Sequence, residues 1–363
     1  MKKGKMFLLD IFNSLLPVLS AFGIGAIIII LIGGNPLTTY SIMFSKTLFN
    51  WNGFLKTLHF ASPLILTGLA IAITFKANIF NMGVEGQLLV GGFFACVVGF
   101  YFEGLNPVVH VILGLLTGIT CGMVFAFIPA ILKAYFKVNE IVVTLMLNYA
   151  VIEILRILTQ TIYRDPTSGY VSTPAVASSA MFYRIGGTRL TLFFPLTIIV
   201  FVIMYIIFKK SRLGYEVTAV GKNPEFAEAS GMNIKRKIIY IMLISGALSG
   251  LAGAGYMFSE KFKYTLDFSG NPGLGWDGML IALLGRHSPI GIIIAAIFYS
   301  ALKTGGDIIN IFTNVPKESV GVIQGLIILF ISIRFINQNT KLFGNTMARF
   351  STTKKKKNEE VQK

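Results

Sequence analysis

The sequence predicts an all-α polytopic membrane protein with about ten transmembrane helices and both termini in the cytoplasm, and three observations carry that expectation. Hydrophobic residues make up 54% of the 363, charged residues only 13%, and the mean hydropathy is +0.72. The apolar residues come in several runs long enough to cross a bilayer, which takes about 20 residues of helix. Most Lys and Arg residues collect on alternate connections between those runs, as the positive-inside rule asks of cytoplasmic loops. A formal charge of +16 would suit a nucleic-acid binder. Charges confined to loops and tails among apolar segments instead orient a chain in anionic lipid, so membrane lipid is the expected partner and nucleic acid is not.

Starting inside, the first helix is expected over about 15–34, ended by Gly33, Gly34, Asn35 and Pro36. Its basic start is signal-like, but the apolar stretch is long and lacks a convincing small-residue cleavage site, so it is expected to be retained. An external segment runs to about 57, and a second helix, about 58–75, delivers Lys76 to the cytoplasm. The third occupies about 79–100 after a polar, Gly-containing entry, and Asn106 and Pro107 turn the chain outside. The fourth, about 108–132, returns to Lys133 and Lys137; the fifth, about 139–160, leads to a polar external segment ending near Arg189. A sixth, about 191–208, enters a basic loop at 209–237. Then come a seventh helix over about 238–257, a short Gly-flanked eighth over about 276–285, a ninth over about 289–303 and a tenth over about 319–335. Region 276–303 either spans twice or contains a re-entrant piece packed against protein. Residues 1–340 thus form one membrane domain, and 341–363 a basic cytoplasmic tail expected to be disordered. GALSGLAGAG at 246–255 sets small residues at helical spacing, which lets helices approach closely.

The basic loop reads KKSRLGYEVTAVGKNPEFAEASGMNIKRK. Asn223 is placed as a helix N-cap, Pro224 as the first helical residue, Glu225 and Glu228 at the positive end of the dipole, and Gly231 as the closing residue. A helix of about two turns, roughly 10 Å long, is expected. It is either a docking surface for a soluble partner or an ordinary cytoplasmic loop with an incidental helix.

Polar residues inside the membrane are costly and point to function by default. In FKANIFNMGVEGQLLVGG, the spacing puts Asn78, Asn81 and Glu85 on one helical face, with Gly83 and Gly86 loosening the backbone beside them. This group either lines a pathway or lies near the cytoplasmic interface. In VNEIVVTLMLNYAVIEILR, Glu140, Thr144 and Asn148 recur every fourth residue, and Glu153 and Arg156 pair near the outer end. That stripe should face the bundle interior, as a pathway or as interhelical hydrogen bonds. Trp276, Asp277, Arg286, His287 and Ser288 bracket the short eighth segment and are expected to be structural.

No G-x-x-x-x-G-K-[ST] and no H-E-x-x-H occurs, so any ATP must be bound by another chain. Cys96 and Cys121 lie in apolar runs, and His59 and His110 stand alone. No catalytic residue, metal site or cofactor of the chain's own is expected, and the protein is not expected to be an enzyme.

Four stretches together resemble the membrane permeases of ATP-binding-cassette importers in the branched-chain amino acid, simple sugar and nucleoside group. They are FNMGVEGQLLVGG (80–92), VNEIVVTLMLNYA (138–150), SRLGYEVTAVGKNPEFAEASGMN (211–233) and GWDGMLIALLGRHSPIGI (275–292). The likeness is closest to nucleoside-type permeases that work with a lipoprotein receptor. It implies a bacterial cell-membrane subunit that pairs with a second permease, identical or homologous. ATP and Mg would be bound by partner ATPase subunits, and an extracytoplasmic substrate-binding lipoprotein would deliver substrate. It also implies that Gly221, Asn223, Pro224, Glu225, Glu228, Ala229 and Gly231 belong to the element that couples to the ATPase. A substrate path would then be lined by Asn81, Glu85, Gln87, Glu140, Thr144 and Asn148. The family's coupling signature begins Glu-Ala-Ala with a Gly a few residues later, whereas this chain has Ala227-Glu228-Ala229-Ser230-Gly231, a shorter gap. The alternatives are a permease for a simple sugar or other small polar solute, and an ion-coupled secondary transporter using Glu85 or Glu140.

Overall fold

The computed structural model describes residues 18–266, 272–313, 315, 316, 318–326, 329 and 330. Its regular structure is helical, and strand pairing among the described residues is limited to isolated bridges at Ser172–Thr265 and Arg184–Thr191. The helices are α1 (Val18–Leu31), α2 (Pro36–Thr47), α3 (Trp51–Lys76), α4 (Val84–Tyr101), α5 (Pro107–Phe136) and α6 (Glu140–Thr161). They continue with α7 (Phe193–Lys210), α8 (Arg212–Lys222), α9 (Pro224–Ala229), α10 (Ile234–Tyr256), α11 (Leu274–Leu284) and α12 (Pro289–Phe312). A π-helical turn, Met257–Lys261, extends α10. Among the described residues seven of these are long and apolar enough to cross a membrane, and α1 with α2, bent by 119°, makes an eighth if the pair is one span.

Asparagine starts the helices. Asn50, Asn106, Asn139, Asn223 and Asn233 each accept a backbone N–H of the first turn of α3, α5, α6, α9 and α10. Those donors have no partner within the helix, and a side-chain oxygen satisfies them at the end of an apolar run.

The chain divides into two compact units. In Phe44–Thr304 the centre is α4, α5 and α10, brought close by glycine. A Cβ on Gly250 would strike the carbonyl of Gly118, one on Gly122 that of Gly246, and one on Gly253 that of Leu88. The small residues of 246–255 thus carry the packing expected of them, with dispersion and close backbone approach replacing the hydrophobic drive that lipid does not supply. α3 is buried along most of its length, whereas α5, α6 and α7 expose large apolar side chains such as Phe127, Tyr149 and Ile203. The segment 162–192 is pinned to the end of α10: Thr173 donates to the Tyr264 carbonyl (2.9 Å), Val176 to Phe262 (2.9 Å) and Phe182 to Phe258 (3.0 Å). In the other unit the α1–α2 pair packs on the later segment, with Gly25 against Ile323 and Gly34 against Val315. There the Tyr40 hydroxyl donates to the Phe22 carbonyl at 2.8 Å.

Several boundaries differ from the expectation. The external segment before the second helix is largely helical, as α2, and α3 begins at Trp51 because Asn50 caps it. α4 begins at Val84 rather than 79, since Asn78 turns left-handed (φ 58°) and breaks the helix. The basic loop holds two helices, not one. α11, at eleven residues or about 16 Å, reaches halfway across a core of about 30 Å, while α12 is a full-length span. Residues 318–326 are helical where the tenth helix was expected; 331–335, the first residues of the chain through 17 and the tail 341–363 lie outside the described residues.

Candidate functional site

The break between α3 and α4 is the organising feature. Residues 77–83 leave the helix, so their backbone groups need other partners at membrane depth. Asn81 Oδ1 accepts from Gly83 N–H (3.0 Å), and Glu140 Oε1 accepts from Phe80 N–H (3.3 Å). Asn148 Nδ2 donates to the Met82 carbonyl (2.7 Å) and its Oδ1 accepts from Gly86 N–H (3.0 Å). The Asn81 and Gln87 amides pair reciprocally at 3.1 and 3.2 Å, and Asn81 donates to Ser245 Oγ on α10 at 2.9 Å. Thr144 packs on Gly83, and its hydroxyl donates to the Glu140 carbonyl (2.6 Å). The second oxygen of Glu140 meets Lys133 at 2.6 Å.

The expected single helical face of Asn78, Asn81 and Glu85 does not form. Asn78 is exposed in the left-handed turn, and Asn81 reaches α10 from the non-helical segment. The stripe on α6 does face inward, with Glu140, Thr144 and Asn148 buried and Val142 and Met146 exposed between them. Glu153 and Arg156 form their ion pair, at 2.5 Å.

Glu85 has a separate task. Its carboxylate accepts from the N–H groups of Gly273 (3.1 Å) and Gly275 (2.5 Å), at the start of α11. An anion there completes the unpaired donors and meets the positive end of the helix dipole. A Cβ on Gly275 would overlap Glu85, so glycine is what lets the two helix starts meet. Asp277, one turn further on, accepts from Tyr299 (2.6 Å) and Lys303 (3.2 Å) on α12. Arg286 and His287, both left-handed, and Ser288 turn the chain from α11 into α12, a structural role as expected.

Depth follows from the helices. Ile234–Lys261 runs 28 residues, about 42 Å at 1.5 Å per residue, close to the full thickness of a bilayer with its headgroup layers, and Ser245, about 16 Å from Ile234, lies near its midpoint. The polar cluster therefore extends from one end of the span, where Glu140 begins α6 beside Lys133, towards its middle at Ser245, and two interrupted helices, α4 and α11, begin along it.

On the basic loop, Asn223 Oδ1 accepts from Phe226 N–H (3.0 Å), Pro224 is the first residue of α9, and Gly231 is left-handed (φ 82°). Met232 N–H returns to the Ala227 carbonyl at 3.1 Å, closing the helix as its sequence dictates. Glu225, Glu228 and Ala229 are exposed on α9, as is Phe226 at 68%. Gly221 ends α8 directly against the carbonyl of Lys76, where α3 breaks; any side chain there would overlap it. Glu216, buried on α8, accepts from Arg212 Nε (3.1 Å) and from Lys237 Nζ (2.5 Å) on α10. Burial by itself raises this carboxyl, but the Lys237 and Arg212 hydrogen bonds and charges outweigh it and hold its pKa below the usual value.

Sequence reading missed Ser245, Glu216 and Lys133. Arg212 and Glu216 stand four apart on a helix, a signal that was available; the other two depend on which helices meet. His59 pairs with Glu260 (3.2 Å), and His110 with Ser179 (2.9 Å) and the Val98 carbonyl (3.1 Å). Among the described residues no group of three or more His, Cys, Asp or Glu could hold a metal ion.

Apolar spans, two interrupted helices braced by buried polar groups and a capped helix on a basic connection define a multi-pass membrane protein of the transporter kind. The family described as the permease component of the branched-chain amino acid transport system matches residues 53–332, and the chain belongs to that family. It is 34% identical over 344 residues to the guanosine ABC transporter permease protein NupP of Bacillus subtilis, covering 91% of this chain and 96% of that one. It is 33% identical to the nucleoside ABC transporter permease protein NupB of Lactococcus lactis (89% of this chain, 90% of that one). It is 32% identical to the glucose ABC transporter permease protein TsgB13 of Haloferax volcanii (87% and 85%). No solved structure matches the chain.

Proposed function

We propose that this chain is the membrane-spanning permease subunit of an ATP-driven importer that takes up nucleosides, with ATP hydrolysed by separate ATPase subunits. The observation that carries the reading is the pair of nucleoside-type relatives, NupP and NupB, which align along about nine-tenths of this chain. The chain works beside a second permease and receives substrate from an extracytoplasmic binding lipoprotein, in a bacterial cell membrane. The ATPase docks under α9, and Gly221, Asn223, Pro224, Glu225, Glu228, Ala229 and Gly231 form or shape the docked element. Support comes from the exposed, doubly capped α9 and from Gly221, which ties α8 to the broken end of α3.

Closure of the ATPases moves α8 and α9, and the bundle rearranges around a path beside Asn81, Glu85, Gln87, Glu140, Thr144 and Asn148. Their burial beside the starts of two interrupted helices, α4 and α11, favours this. Because the polar ends of all six are already hydrogen-bonded within the protein, their first role is to hold the broken backbone open without exposing it to lipid. For the topology we propose ten passes with both ends cytoplasmic, one of them completed by the half-length α11. The glucose permease among the relatives favours a sugar as the second reading.

The test replaces 221–231 by a flexible Gly/Ser linker in cells carrying the whole transporter. Uptake of labelled guanosine should be lost while the protein stays in the membrane; normal uptake refutes the coupling role, and uptake of glucose but not guanosine by the unaltered transporter refutes the substrate.

A further inference from the structure

Where α8, the end of α9 and the start of α10 meet, they leave a cavity of about 400 Å³. Arg212, Tyr215, Glu216, Arg236, Lys237 and Tyr240 line it. The carboxylate is fully used: one oxygen takes Arg212 Nε and the other takes Lys237 Nζ. That leaves the outer nitrogens of Arg212, whose side chain is 92% exposed, and the whole guanidinium of Arg236, for which no ion pair occurs among the described residues. Three cations against one carboxylate give the cavity a net charge of about two positive units.

Its position relative to the spans decides what it meets. Lys209 and Lys210 end α7 one residue before α8 begins, and Ile234 begins α10. Tyr240 lies six residues into α10, about 9 Å along the axis. The headgroup layer on each side of the hydrocarbon is about 5–8 Å thick, so the cavity covers that layer. Tyrosine with arginine at this level is the composition that the interface selects, and a guanidinium fork matches a phosphate with two parallel hydrogen bonds.

We propose that this cavity binds the phosphate of an anionic phospholipid headgroup, held by Arg212 and Arg236 between Tyr215 and Tyr240. Ser230, Gly231 and Met232 also line it, so a bound headgroup braces the C-terminal end of α9. Lipid occupancy then sets how firmly α9 is presented to an ATPase. The site rests on the cytoplasmic placement of 209–237 proposed above.

The test uses the permease purified with its partner subunits. Retained lipid is read by native mass spectrometry, and ATPase activity is read in vesicles of phosphatidylcholine with or without phosphatidylglycerol. Removing one guanidinium, Arg236→Gln, should lower phosphatidylglycerol retention about fivefold and blunt the activation by that lipid, and Arg236→Lys should fall between. Arg236 is chosen because it has no ion pair to lose. Unchanged retention overturns the site. So does retention unchanged with loss of the copurifying ATPase, which would give the cavity to that protein, or inorganic phosphate replacing the lipid in phosphatidylcholine vesicles. Ser230→Cys, labelled by an impermeant maleimide, reads the placement independently. Labelling from outside the cell removes both the placement and the importer reading of this loop; labelling only from the cytoplasm with unchanged retention refutes the lipid site alone.

Discussion

Replacing Asn148 by alanine separates the two roles its neighbourhood allows. In the structure the side chain carries one donor to the Met82 carbonyl and one acceptor for the Gly86 N–H, both buried in the break before and inside α4. Deleting it leaves two backbone groups unpaired where lipid and packed side chains offer no water. Each orphaned group costs about 1–3 kcal/mol, so a total of about 2–6 kcal/mol is expected. At about 2–4 °C per kcal/mol, the unfolding temperature in detergent should fall by at least ~4 °C. Among molecules that remain folded, the KM for uptake should change little, because the amide is committed to the backbone rather than to a solute. The assay pairs thermal unfolding of the purified complex with uptake kinetics in vesicles at a temperature well below the midpoint. An unchanged unfolding temperature together with a tenfold rise in KM would refute this reasoning and make Asn148 a direct substrate contact.

Gly250→Ala sets a methyl against the Gly118 carbonyl and should cost about 1–3 kcal/mol through overpacking of α5 against α10, seen as aggregation in size-exclusion chromatography; a monodisperse, equally stable variant would refute the close approach. Phe226→Ala removes an exposed apolar side chain from α9, so stability should stay within about 0.5 kcal/mol while copurification of the ATPase falls, and retained copurification would count against docking there. For Glu216 the folded pKa is depressed from the ordinary 4.5, so the stability it confers is present above that value and is lost as pH falls through the folded pKa. The difference in unfolding midpoint between wild type and Glu216→Gln should therefore be constant from neutral pH down to about the ordinary carboxyl pKa and shrink below it; a difference that grows on acidification would refute the ion-pair account.

Much of this protein was legible in one dimension. Apolar runs and loop charges are sufficient for an all-helical membrane bundle, because crossing lipid without unpaired backbone leaves a helix as the simplest solution. The α9 caps were equally readable: an N-cap asparagine, a proline at the first position and a closing glycine act within one or two turns and need no distant partner. The inward face of α6 was readable too, since spacing alone puts Glu140, Thr144 and Asn148 together.

What spacing could not supply was the fate of each polar group. FKANIFNMG has the composition of a helix entry, yet it is a break, its backbone bonded by Glu140 and Asn148 of α6 and its Asn81 side chain by Ser245 of α10. Glu85 looked like a charge in search of an ion or a solute. Its partners are two N–H groups nearly two hundred residues away, at the start of a helix too short to cross. By itself the sequence determined which segments enter the membrane and where local caps start and stop them, since those depend on neighbours in the chain. Tertiary structure alone decided which helices are interrupted and which buried groups meet, since a hydrogen bond across the bundle depends on positions that no local pattern encodes.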